Sequence, residues 1–139
     1  MTSTHVRRWK ARLEAEFGHR DVTDEVVRLV AESGVQDGIA VVSLTCSTGA
    51  VITIEYEPGA LADLRRALDA VAPPTDDYAH NARWGDGNGF SHLRSALLKP
   101  SVAIPVVGGK LQLGTWQQIV VINLDNRPRK REIVAVVVG

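Results

Sequence analysis

Along residues 6–17 hydrophobic and polar positions alternate, with Trp9, Ala11, Leu13 and Ala15 on one side and Arg8, Lys10, Arg12 and Glu14 on the other. A period of two with one apolar side predicts a half-buried strand. Next, Asp21-Val22-Thr23-Asp24-Glu25 sets a capping group and acidic residues ahead of Val26, Val27, Leu29 and Val30. Carboxylates near free N–H groups favour a helix start, and Gly34 predicts its end. Residues 38–45 and 50–55 are β-branched runs joined by Cys46-Ser47-Thr48-Gly49. That spacing predicts a hairpin or a tight connection between neighbouring strands. A second helix opens at Pro58-Gly59, carries Leu61, Leu64, Leu68 and Val71 at helical spacing, and closes at Pro73-Pro74, because proline cannot continue the ladder. A short third helix is predicted over 92–98. Strands follow around 102–106, 110–113, 117–124 and 131–138, punctuated by Gly108-Gly109, Gly114-Thr115 and Asn126-Arg127-Pro128.

The sum is a single α+β domain over residues 1–139, with mostly antiparallel sheets packed with two or three helices. Ile119-Val120-Val121-Ile122 and Ile133-Val134-Ala135-Val136-Val137-Val138 leave few polar positions for a solvent side, so these strands need cover on both faces. A neighbouring subunit in a closed homo-oligomer would supply it. In a monomer the helices would have to.

At 139 residues the chain can bury about two thirds of its unfolded surface in one core. Its 16 acidic and 16 basic residues balance, leaving no overall charge to attract nucleic acid or an anionic membrane. No apolar run is long enough for a bilayer, and residues 1–10 lack the apolar stretch of a signal peptide, so a cytoplasmic address is expected. Cys46 is the single cysteine, which leaves it packing, metal ligation or nucleophilic reactivity.

Chemistry concentrates in residues 78–98, where His80, Arg83, Asp86, Asn88, His92 and Arg94 surround Gly85, Gly87 and Gly89. Glycines permit tight turns and close approach to a ligand, although a polar loop leading into a helix has the same composition. His92 can serve as a general base and Glu55 as a base or histidine partner. Arg83 and Arg94 have the forked donors that bind phosphate. Ser47, Thr48 and Asn88 offer polar contacts, and Thr115, Trp116 and Gln117 follow a glycine at a strand break, where an indole can stack on a flat ring. His5 and His19 are expected at the surface, outside this group.

Several segments occur together and in order: Ile54-Glu55-Tyr56-Glu57-Pro58-Gly59, Tyr78-Ala79-His80, Trp84-Gly85-Asp86-Gly87-Asn88-Gly89, Ser91-His92-Leu93-Arg94 and Gly114-Thr115-Trp116-Gln117-Gln118. On these the chain resembles the YjbQ-like family, small α+β domains associated with secondary thiamine-phosphate synthase activity. The resemblance implies a homotrimer with polar, histidine-bearing pockets near subunit boundaries, and in some members a metal ion. Cys46-Ser47-Thr48 stands where such proteins usually have His-Ser-Thr or His-Thr-Thr, and Phe90 replaces the first histidine of a His-x-His pattern. A divalent metal here would be held by Cys46, His80 and His92, a donor set that favours zinc.

The implied activity joins a pyrimidine diphosphate to a thiazole phosphate with release of pyrophosphate. His92, Glu55 and Arg94 are the expected catalytic residues, and Ser47, Thr48, Arg83, Asn88, Thr115, Trp116 and Gln117 the expected contacts to a small phosphate-bearing molecule. Two alternatives stand beside this. One is a non-catalytic homotrimer that binds a metal or a small anionic metabolite, with Cys46 marking lost chemistry. The other is nucleophilic catalysis by Cys46 with His80 or His92 as its base.

Overall fold

Two antiparallel sheets and a helical layer are stacked in this computed structural model, which describes residues 2–139. The elements are β1 Thr4–Leu13, β2 Gly18–Asp21, α1 Thr23–Ser33, β3 Gly38–Leu44, β4 Gly49–Ile54, α2 Pro58–Val71, α3 Ala79–Trp84, α4 Gly89–Leu98, β5 Ser101–Val107, β6 Lys110–Leu111, β7 Gln118–Asn123 and β8 Arg129–Val138. One sheet has the order β1-β8-β3-β5-β6 and the other β2-β7-β4. The α+β domain with antiparallel sheets is as the sequence predicts.

The β7 run is apolar throughout because both of its faces are covered within the chain. Ile119 and Val121 point into the core shared with the five-stranded sheet and α1, where Val26, Leu29, Val42, Ile133 and Val137 meet them. Val120 and Ile122 point the other way, onto Phe17 and onto Leu61 and Leu68 of α2. No neighbouring subunit is needed for β7, which corrects the expectation from its composition. Each such buried side chain contributes on the order of 1.5–3 kcal/mol.

Strand β8 differs. Ile133, Ala135 and Val137 are buried inward, while Val134, Val136 and Val138 are only half-buried on the outer face. Directly paired residues share a face, so Val136 lies in one row with Val6 of β1 and Val41 of β3, and Val138 in one row with Ile39. Val6 and Ile39 are 54% and 41% exposed. The outer face of the larger sheet therefore carries an apolar patch that no described residue of its own chain covers.

Three local readings change. The first strand stops at Leu13 and the chain turns at Glu16, φ 68°. The Cys46–Gly49 connection makes no hairpin, since β3 and β4 lie in different sheets and the chain crosses between layers there. A helix, α3, lies inside the segment read as a glycine-rich loop, and α4 begins at Gly89, three residues before the predicted start. Helix α1 ends at Gly34 as expected, and α2 begins at Pro58 with Glu57 accepting from the N–H groups of Gly59 and Ala60 at 2.8 and 2.7 Å.

Candidate functional site

Helices α3 and α4 are clamped together by Gly89. Its N–H donates to Asn81 Oδ1 at 2.8 Å, and a Cβ there would lie 2.5 Å from Tyr78 Cβ. Only glycine allows this approach. The clamp brings His80 of α3 beside His92 of α4, with ring centroids 4.4 Å apart. His92 Nδ1 lies 3.1 Å from Ser47 Oγ on the crossover between the sheets. His80 Nδ1 is buried without a hydrogen-bond partner, and Asp86 Oδ1 stands 3.7 Å away. A buried ring nitrogen left unpaired costs free energy, and a ligand or a shared proton would satisfy it.

Beneath the pair is a buried polar network. Asp125 accepts from Thr48 Oγ1 at 3.1 Å, from the Asn126 N–H at 2.8 Å and from Arg129 Nε at 2.9 Å. Burial works against its charge, but these bonds and one from Asn88 outweigh it and hold the carboxyl below the ordinary range. The Asn88 amide donates to Asp125 Oδ1 at 3.4 Å in one orientation and, turned over, to Asp86 Oδ1 at 3.0 Å, so it serves one of the two carboxylates at a time. Arg131 donates to Thr48 Oγ1 at 2.6 Å and to Asn123 Oδ1 at 2.7 Å, while its Nε is buried and unpaired. Desolvation lowers its pKa, and the neighbouring Cys46 and Asp125 raise it.

Cys46 is half-buried and packs against the inter-sheet core. Among the described residues no three histidine, cysteine, aspartate or glutamate side chains are grouped to hold a metal ion. Cys46, His80 and His92 therefore form no ligand set within one chain. The two imidazoles meet; the thiol does not join them.

Arg94 also departs from its expected role. It is 1% exposed, donates to the Ala72 carbonyl at 2.9 Å and to Asp69 at 2.8 Å, and lies over the Phe90 ring. Its charge closes the C-terminal end of α2, where the helix dipole favours a cation, and the side chain is committed to this packing rather than turned to solvent. Arg83 is exposed and lies over Trp84, free to meet an anion.

The remaining expected residues lie elsewhere. Ser47 and His92 meet near the Gly49 end of β4, whereas Glu55 follows its other end, roughly 20 Å away at about 3.3 Å per residue. There Glu55, Tyr56, Thr115 and Trp116 border a groove of about 390 Å³, and Trp116 is 73% exposed. Gln117 is occupied locally, accepting from the Gly114 N–H at 3.0 Å and donating to Thr53 Oγ1 at 3.2 Å. The candidate residues thus form two groups at opposite ends of β4. Asp125 and Arg131 were missed in the sequence, and Asp86 was noted in the glycine segment without a role; Asp125 stood beside a turn, without a periodic signal to single it out.

Residues 8–139 match the model of the family described as UPF0047 protein YjbQ-like. The chain belongs to this YjbQ-like family. A UPF0047 protein of Methanothermobacter thermautotrophicus is 40% identical over 119 residues, spanning 86% of this chain and 81% of the relative. One from Archaeoglobus fulgidus is 37% identical, spanning 82% and 86%. Among solved structures, a YbjQ-like protein of unknown function from Sulfolobus solfataricus superposes with a TM-score of 0.93 at 29% identity, covering 100% of this chain and 99% of that one. A YjbQ/UPF0047 family protein of Clostridium acetobutylicum gives 0.85 at 32% identity, covering 94% and 98%.

Proposed function

We propose that this YjbQ-like protein works as a homotrimer whose His80–His92 pair performs acid–base chemistry on a small phosphate-bearing substrate. The observation that carries the reading is the paired imidazoles, one oriented by Ser47 and the other half-buried near Asp86 with its Nδ1 unpaired. An imidazole fixed on one nitrogen presents the other for proton transfer. In the thiamine-phosphate-synthase-like reaction, the thiazole nitrogen lone pair forms the new C–N bond while the pyrimidine methylene C–O bond breaks. Pyrophosphate leaves with that electron pair. Arg83 supplies positive charge for the departing anion, and the imidazoles supply hydrogen bonds or a proton to its oxygens. The apolar outer face of the larger sheet supports assembly with further copies.

A second reading, a trimer that binds an anionic metabolite without turnover, is favoured by Cys46, which packs against the inter-sheet core and forms no three-donor group with the histidines. A zinc ion would need donors beyond the two imidazoles, from another copy or from water, so no step here runs through a metal. Pyrophosphate release from the two phosphorylated substrates is expected in wild type and reduced at least about 100-fold in kcat/KM by His92→Ala. Native mass from light scattering should correspond to three chains. No release from wild type, together with saturable phosphate binding lost in His92→Ala, would establish the binding reading, and metal analysis of the same preparations decides the zinc question.

A further inference from the structure

We infer that the cleft between β2 and α2 is a separate ligand site, suited to a flat aromatic body that carries a carboxylate. It encloses about 500 Å³, within the range of small-molecule sites. It lies at the Tyr56 end of β4, away from the histidine pair. Phe17 and Leu61 give it apolar walls, and Tyr56 and His19 add two more flat side chains. The His19 ring meets Phe17 and Tyr56 edge-on, at 5.8 and 5.4 Å between centroids, and its Nδ1 is hydrogen-bonded to Tyr56 Oη at 3.0 Å. These contacts fix the imidazole as a wall. Desolvation lowers the His19 pKa and so favours the neutral ring, which tolerates an apolar guest.

Charge selects the guest. Among the described residues of the lining Arg65 is the cation, and no carboxylate faces the cleft. Its guanidinium lies 5.9 Å over the Phe17 ring and makes a long 3.4 Å contact to Glu16. Both partners of that contact are about half exposed, so it contributes little. A ligand carboxylate can replace it with a bidentate, better-aligned pair, while the aromatic body covers Phe17 and Leu61. Size, apolar walls and one convergent cation thus specify an aryl carboxylate rather than a polyphosphate or a sugar.

The test uses 1-naphthoate as probe, titrated calorimetrically into the whole protein at pH 7, with 1-naphthalenemethanol as the uncharged control. Saturable binding of one naphthoate per chain is expected at sub-millimolar concentration, with the alcohol at least about tenfold weaker. Arg65→Ala and Ala62→Trp, both changes at exposed positions of α2, should each weaken naphthoate binding at least about tenfold while thermal stability and native mass stay at wild-type values. Absence of saturable binding to wild type overturns the inference. So does binding unchanged by both substitutions, or equal affinity for the alcohol. A change of native mass in Ala62→Trp also overturns it, because the cleft would then be a contact between copies.

Discussion

Asp125 is 1% exposed and sits between Arg129 and Arg131, so its carboxylate is both desolvated and compensated. Its folded pKa lies below the ordinary value. The stabilisation it supplies is therefore complete above the unfolded carboxylate pKa and is lost as pH falls through the lower folded value. Asp125→Asn should cost about 3 kcal/mol at neutral pH, because two arginines lose a buried counter-charge. It should also flatten the loss of stability on acidification below about pH 4. Urea unfolding at a series of pH values measures both effects. At this scale the sequence announces residue types but not their partners. Arg83 and Arg94 look alike in the chain, yet one is exposed over Trp84 and the other is buried against α2. What separates them is the path of a helix 20 residues upstream, which local composition does not encode. His92 stood out through its place in the Ser91-His92-Leu93-Arg94 block at a helix start, whereas its contact with Ser47 is visible only in the fold.

At the scale of elements, α3 and α4 position the chemistry. Gly89→Ala pushes a methyl group against Tyr78 Cβ, at a separation real side chains do not reach. It should therefore separate the two helices and with them the two imidazoles. The expected outcome is a lower melting temperature, by a free energy of about 1–3 kcal/mol, and loss of pyrophosphate release beyond what the unfolded fraction explains. Calorimetry and the activity assay on the same sample distinguish the two. Helix α3 escaped the sequence reading because its six residues bury no side chain and so carry no apolar period. By contrast α1 and α2 were readable from their stripes, which face Val121 and Ile122 on opposite sides of one sheet. The β3–β4 crossover was misread as a neighbouring pair because a four-residue gap can join strands in two layers as easily as in one. Only the pairing of β3 with β5 and β8 tells them apart.

Across the whole molecule, the apolar outer face of the five-stranded sheet is the feature that composition signalled and the fold located. A cluster of half-exposed valines in register is more than scattered surface hydrophobes. Val136→Lys places an ammonium at its centre and should reduce the native mass to that of one chain. The inward core stays intact because Ile133, Ala135 and Val137 point away from it. Light scattering and urea unfolding of the variant check this together. Of the architecture, the class and most strands were visible in the chain; the layer each strand joins was not, since both sheets draw on similar Val- and Ile-rich runs.

The position of β8 between β1 and β3 has a kinetic meaning. Thr4 pairs with Val138, and Leu44 with Ile133, so the middle of the larger sheet is supplied by a segment synthesised long after both of its neighbours. Until it arrives, β1 and β3 each expose an open hydrogen-bonding edge beside apolar surface, the condition in which nascent chains pair wrongly with one another. Insertion of one strand then seals two edges and completes the patch that other copies would recognise. In the proposed trimer, assembly would thereby be contingent on finished folding, because a chain stalled before β8 lacks the central row of that patch.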